Sequence, residues 1–241
     1  MLKSQRIAII HATPAAMAPI REAFRSIWPE AEPINILEDS LAPDRAKAAQ
    51  IPEQLSGRIA SLTHYAVSTG SEAVLFTCSA FGPAIEKAAA TVDVPVLKPN
   101  AAMFEAAIAR GGKTAMLYTF APAAESMEEE FRKEAMRLGS DAEICSIFVP
   151  GAIEALHAGQ MATHNGLIAE AAQSLSGVDS ITLAQFSMAP ALRQTQAATP
   201  IPVLSSPEQA VMKLRELLSR QTDTGAPLPV RSASTALTET K

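Results

Sequence analysis

Cysteine is scarce in this chain, basic charge is outnumbered, and long apolar runs are missing. The two cysteines, Cys78 and Cys145, fall in strand-like segments, a usage that fits a reducing cytoplasm better than a disulfide scaffold. Lys and Arg number 20 against 25 Asp and Glu. The formal net charge of −5 argues against nucleic acid or an anionic membrane as partner. No stretch approaches the roughly 20 apolar residues of a membrane span. The N-terminus runs straight into a strand-like segment, Arg6–Ile10, without a signal-peptide pattern. Glycine-rich phosphate loops of the GxGxxG or P-loop type are absent. His11, His64, His157 and His164 form no i,i+3 or i,i+4 pair, and no Cys/His cluster has zinc-site spacing, so no metal is expected.

What is present is an internal repeat. The segment Glu72–Ala84, with Cys78 and Pro83, matches Asp179–Ala191, with Gln185 and Pro190. Both 185 − 78 and 190 − 83 give an offset of 107. Without a gap, Gly70 meets Gly177, Ala90 meets Ala197, and Pro95-Val96-Leu97 meets Pro202-Val203-Leu204. The same offset aligns the starts of the halves, where Glu22, Phe24 and Arg25 meet Glu129, Phe131 and Arg132. Only residues 31–56 need a short shift. This is a duplicated unit of about 100 residues, far longer than a solenoid repeat.

Within each unit, apolar runs alternate with helical patterns. Buried parallel strands are expected at Arg6–His11, Ile34–Leu37, Ala73–Thr77 and Val94–Leu97, and at Thr114–Tyr118, Glu143–Val149, Ser180–Ala184 and Ile201–Leu204. Helices are expected at Met17–Trp28, Glu53–Ser68, Ala80–Ala90, Ala101–Arg110, Ala123–Arg137, Gly166–Leu175, Met188–Ala197 and Pro207–Arg220. Asn100 reads as an N-cap and Gly111 as a helix stop. The fold class is α/β: two pseudo-symmetric halves, each a parallel sheet of about four strands with helices on both faces, and a cleft between them. The first half takes residues 1–98 plus 206–221, and the second takes 99–205. The Thr-, Ser-, Ala- and Pro-rich tail 222–241 reads as disordered. The composition permits a homo-oligomer.

Ligands of open α/β sheets bind at the carboxyl ends of the strands. Four loops leave strands at equivalent points: His11–Met17, Thr77–Pro83, Thr119–Ser126 and Gln185–Pro190. They hold His11, Thr13, Thr77, Cys78, Ser79, Thr119, Gln185 and Ser187, and no Lys or Arg. A small anion there would be held by backbone N–H groups and hydroxyls, an arrangement that suits a carboxylate. Cys78 is the candidate acid/base or nucleophile. Its place before a helix start predicts a lowered thiol pKa, against the plainer reading of a small buried hydrophobe. Cys145 lies mid-strand and reads as core. His11 either lines the cleft or is a hydrogen-bonded edge histidine. Phe81, Phe120 and Phe186 leave room for an apolar substituent on the ligand. Asp39 and Asp44 read as caps or turns, and Met17, Met103, Met127 and Met188 as packing, with Met188 a candidate pocket floor.

The duplicated halves, the cysteine after the third strand and the segment Leu183-Ala-Gln185-Phe-Ser-Met-Ala189 resemble the aspartate/glutamate/hydantoin racemase superfamily. The resemblance covers Met1 to about Arg220. It implies a cofactor-independent enzyme acting at the carbon next to the carboxylate of a small acid. In that family two cysteines, one from each half, remove and return the α-proton, and relatives include maleate isomerases and arylmalonate decarboxylases. By this resemblance Cys78 takes the first cysteine position, and Ser79 and Thr119 take places that help to bind the substrate carboxylate. This chain departs at Gln185, because an amide neither takes nor gives a proton near neutral pH. Three readings stay open. One is a racemase or isomerase whose second acid/base comes from elsewhere, His11 or the substrate. Another is a one-cysteine decarboxylase or cis–trans isomerase of a small dicarboxylate. The third is a binding protein for small carboxylates that has lost turnover.

Overall fold

The computed structural model describes residues 4–48 and 50–224. The first unit runs β1 (Arg6–His11), α1 (Met17–Ile27), β2 (Glu32–Leu37), α2 (Leu41–Ala46), α3 (Glu53–Ser68), β3 (Ala73–Phe76), α4 (Gly82–Ala89) and β4 (Val96–Leu97). The second runs α5 (Ala101–Arg110), β5 (Lys113–Tyr118), α6 (Ala124–Arg137), β6 (Glu143–Phe148), α7 (Ala152–His157), α8 (Met161–Gln173), β7 (Ser180–Leu183), α9 (Leu192–Ala198) and β8 (Val203–Ser205). The last helix is α10 (Ser206–Thr224). Residues Thr222–Thr224, read from sequence as the start of the tail, continue this helix. Adding one residue to an existing helix costs little even where no apolar face asks for it. The rest of the tail, 225–241, lies outside the described residues.

Each unit builds one sheet, ordered β2-β1-β3-β4 and β6-β5-β7-β8, with every pair parallel. The registers repeat: Ile10 pairs with Phe76, and Leu117 with Leu183. The offset 107 relates β1 to β5, β3 to β7 and β4 to β8, while β2 and β6 differ by 143 − 32 = 111. The short shift in the repeat is therefore four residues. The central strands β1, β3, β5 and β7 are buried on both faces because helices cover both. Edge strands β2 and β6 are only half covered.

Helix periodicity explains which faces turn inward. From α1, Ile20, Ala23 and Phe24 pack with Ile7, Ile9 and Leu75. From α6, Met127, Phe131 and Ala135, spaced i, i+4, i+8, pack with Met116. The opposite faces are covered by α3 and α4 in the first half and by α7, α8 and α9 in the second. The helix that follows the final strand of each sheet packs on the other sheet. Met103, Phe104 and Ala107 of α5 join the core of the second sheet, and Ala210, Val211 and Leu214 of α10 join that of the first.

Where β4 and β8 turn into α5 and α10, the buried Ser206 Oγ donates to Asn100 Oδ1 at 2.7 Å. Asn100 does not cap its own helix as its sequence position suggested. Its amide is spent on this bond between the halves and on Met127 Sδ at 3.3 Å. Gly111 does stop α5, at φ 74°, with its N–H on Ile108 O at 2.9 Å. Lys98, in the connection between the halves, bridges Glu86 of α4 at 2.6 Å and Glu130 of α6 at 3.0 Å. No helix among the described residues is long and apolar enough to cross a membrane.

Two short helices, α2 and α7, are absent from the sequence reading. Six residues each is too little for a helical period to register. α4 starts at Gly82 and α9 at Leu192, later than expected, because short 3₁₀ turns precede them. Such turns follow β1, β3, β5 and β7 at Pro14–Ala16, Ser79–Phe81, Ala121–Ala123 and Phe186–Ala191.

Candidate active site

Both sheets end in the same backbone step. Thr77 N–H donates to Ile10 O at 3.1 Å, and its counterpart Ala184 N–H donates to Leu117 O at 3.0 Å. One residue further on, Cys78 (φ −120°, ψ 121°) and Gln185 (φ −113°, ψ 145°) occupy matching extended positions before their 3₁₀ turns. The duplication therefore presents one thiol and one amide at equivalent points beyond the two sheets.

In the first half the structure joins His11 to Thr77. The buried His11 has Nδ1 3.0 Å from Thr77 Oγ1 and Nε2 2.9 Å from Asn35 Oδ1. Burial pushes its pKa below the ordinary value, and the bond to Asn35 only partly opposes this. In the neutral ring Nε2–H donates to Asn35 and Nδ1 accepts from Thr77. Both ring nitrogens of His11 are thus engaged. Asn35, mid-strand in β2, carried no sequence signal.

Cys78 is partly buried on the edge of the core beneath α3 and α4. Its expected lowered pKa is not what the structure gives. Burial pushes the thiol up, and this outweighs the downward pull of the Ala80 N–H and the Arg45 charge. α4 starts only at Gly82, so Cys78 does not sit directly before an α-helix and gains little from its terminus. Arg45 was missed. It comes from the unforeseen α2, and Arg45 Nε donates to Ala80 O at 3.1 Å and Nη1 to Ala48 O at 2.5 Å. The four loops lack a cation, but α2 lends one to the Cys78 turn.

In the second half the structure joins Thr119 to Gln185. Thr119 N–H donates to Gln185 Oε1 at 3.1 Å, and Thr119 Oγ1 lies 3.4 Å from the same oxygen. Gln185 Nε2 is buried and meets no acceptor among the described residues. Tyr118 and Phe148, at the ends of β5 and β6, stack at a tilt with ring centroids 5.4 Å apart. His164, in the first turn of α8, is fully buried with neither ring nitrogen bonded among the described residues.

Thr13, Ser79 and Ser187 are partly exposed on three of the loops and belong to neither group. Of the three phenylalanines expected near the ligand, only Phe120 is exposed. Phe81 and Phe186 are corrected to core, because the turns fold their apolar side chains inward. Phe81 packs beneath α3 and α4, and Phe186 reaches from the second half into the core under α1 and α10. Met188 is likewise core. Cys145 packs against the core beside α7 and α8, with Sγ 3.6 Å from Thr114 O. Asp44 is an ion-pair partner of Arg58 at 2.8 Å and Lys47 at 3.1 Å. Two surface grooves lie elsewhere, one of about 260 Å³ between α5 and α10 and one of about 520 Å³ beside α9. No group of three metal-ligating side chains occurs among the described residues.

These pKa directions give two expected results. In a Cys145→Ala background, alkylation of Cys78 should reach half its maximal rate above the roughly 8.5 of an ordinary thiol. A midpoint below that would show that Ala80 and Arg45 outweigh burial. The second concerns stability. Burial lowers the pKa of His11 and of His164. The unfolded chain therefore binds more protons just below roughly pH 6.5, so this contribution is complete above that pH and is lost as pH falls through the folded values. Urea melts should give a lower unfolding free energy at pH 5.5 than at 7.5. His164→Phe should remove part of the slope, which is at most about 1.4 kcal/mol per pH unit for one histidine. An unchanged slope in that variant would contradict the shift.

No protein-family model and no curated sequence matches the chain. Solved structures do. Glutamate racemase isoform RacE1 from Bacillus anthracis superposes with a TM-score of 0.70 at 14% identity, over 90% of this chain and 82% of that one. Aspartate racemase from Picrophilus torridus gives 0.68 at 15%, over 90% and 95%. Allantoin racemase from Klebsiella pneumoniae gives 0.66 at 15%, over 90% and 89%. The chain shares the fold of these glutamate, aspartate and allantoin racemases.

Proposed function

We propose that this chain is a cofactor-independent enzyme of the racemase/isomerase type, acting at the carbon next to the carboxylate of a small acid, with Cys78 as its proton-transferring group. The observation that carries this reading is the place of Cys78. It is a thiol two residues beyond a central strand, in a fold shared with racemases of glutamate, aspartate and allantoin. The neighbours' substrates support a small carboxylate or related acid for this chain. Thr13, Ser79 and Ser187 are the loop hydroxyls left to bind it, while Thr77 is engaged with His11.

A second reading has its own support. Burial favours the neutral thiol, so Cys78 starts as a proton donor and not as a resting base. Gln185 cannot titrate, and His11 has no free nitrogen to serve as a second acid/base. One donor and no partner suits a one-thiol decarboxylase or cis–trans isomerase of a small dicarboxylate.

Proton NMR in D₂O tests both. The protein is incubated with each enantiomer of aspartate and glutamate, substituted malonates, maleate and hydantoins. Deuterium at the α-carbon with inversion supports racemisation. Loss of carbon dioxide or alkene isomerisation, without exchange in the chiral acids, supports the one-thiol reading. Binding without turnover identifies a carboxylate-binding protein, and the absence of both binding and turnover overturns the proposal.

A further inference from the structure

We infer that Gln185 is the group that grips the substrate's oxygen, its side-chain Nε2–H donating to a carboxylate or enediolate oxygen while Cys78 alone moves the proton. This rests on the functional reading above in its one-thiol form, and deepens it.

The amide's orientation is fixed by its surroundings. Thr119 N–H is a donor that cannot reverse its role, so the Gln185 atom 3.1 Å away must be the acceptor Oε1. Turning the amide over would set NH₂ against N–H. Thr119 Oγ1 also approaches Oε1, at 3.4 Å. With the oxygen held there, Nε2 points the other way, and it is buried without an acceptor among the described residues. A buried donor left unpaired costs on the order of 1–3 kcal/mol. Such a cost is expected where a ligand, when bound, removes it. The position is also the one at which the duplicated fold sets Cys78 in the other half, with closely similar backbone angles. An oriented amide donor at that point is suited to charge that develops on oxygen, and Arg45, the cation that α2 brings to the Cys78 turn, is bonded to the Ala80 and Ala48 carbonyls.

The chemistry that follows is one-sided. Loss of carbon dioxide from a malonate-type acid leaves the C–C electron pair in an enediolate, the Cys78 thiol passes its proton to that carbon, and the thiolate so formed regains a proton from water. Gln185 keeps both amide hydrogens throughout and only donates a hydrogen bond. Protons then reach the carbon from one face, and a chiral product forms as a single enantiomer.

The test uses the full chain, with malonate, maleate and both aspartate enantiomers as probes. In ¹H–¹⁵N spectra the Gln185 side-chain NH₂ pair, assigned by its loss in Gln185→Glu, should shift on titration with a probe that binds. Gln185→Glu keeps the acceptor for Thr119 but removes the donor. It should weaken binding of that probe by about 10- to 100-fold, the range for a hydrogen bond to a charged group, with little change in melting temperature. A probe that shifts other resonances while the Gln185 pair stays put, with unchanged affinity in Gln185→Glu, overturns this inference and leaves the functional reading standing. If no probe shifts any resonance, the functional reading fails and this inference with it.

Discussion

Cys78→Ser is expected to lower turnover by about 10³-fold, within the range for loss of a positioned acid or base. A hydroxyl occupies nearly the same space as a thiol but is a far weaker acid. Cys78 sits at the margin of its core cluster and is partly exposed, so the exchange should cost little stability. The fold should therefore survive, and far-UV dichroism with a thermal melt checks that it does. The rate is read from deuterium incorporation or product formation on whichever acid the wild-type protein turns over. Retained turnover would remove Cys78 from the mechanism, whatever the fold resembles. The thiol's raised pKa sharpens the expectation. A donor that is protonated at rest should leave the wild-type rate level through neutral pH and make it fall only as the thiol ionises at high pH.

The fold was legible because it is written twice. Three of the four strands in one half have a counterpart 107 residues away, so weak segments such as the short β4 were supported by their partners in the other half. Residues 31–56 resisted for a physical reason. β2 and β6 are half-exposed edge strands, and the six-residue helices α2 and α7 follow them. Neither element has a full apolar face to impose a pattern. That gap concealed the rest of the Cys78 environment, because Asn35 and Arg45 both lie in it. The thiol pKa was misjudged for a related reason. A nearby helix start is visible in sequence, whereas the depth at which a loop is buried depends on packing from distant elements. Gln185 itself was visible as the partner of Cys78. Its clamp by Thr119 was not, since that bond joins positions 66 residues apart in the chain.

The largest effect on stability is expected at Phe186. In the repeat Phe186 stands where Ser79 stands in the first half, while Phe81 and Met188 occupy equivalent places and pack each turn into its own half. The duplication is thus kept at one position of the turn and broken at the other. Phe186, 3% exposed, leaves the second half and joins Ile7, Ile9, Ile20 and Phe24 in the core of the first. Ser79 makes no such insertion and stays partly exposed. Truncating the ring in Phe186→Ala opens a cavity between the halves. The cost should be about 3–5 kcal/mol, which lowers the melting temperature by roughly 10 °C for a chain of this size. Phe186→Leu should recover much of the loss, because it refills most of the volume. Gln185 is the neighbouring residue, so a loosened turn should also blur its alignment on Thr119. A calorimetric melt and the activity assay are therefore expected to fall together in Phe186→Ala. A melting temperature within a degree or two of wild type would mean that Phe186 does not hold the halves together.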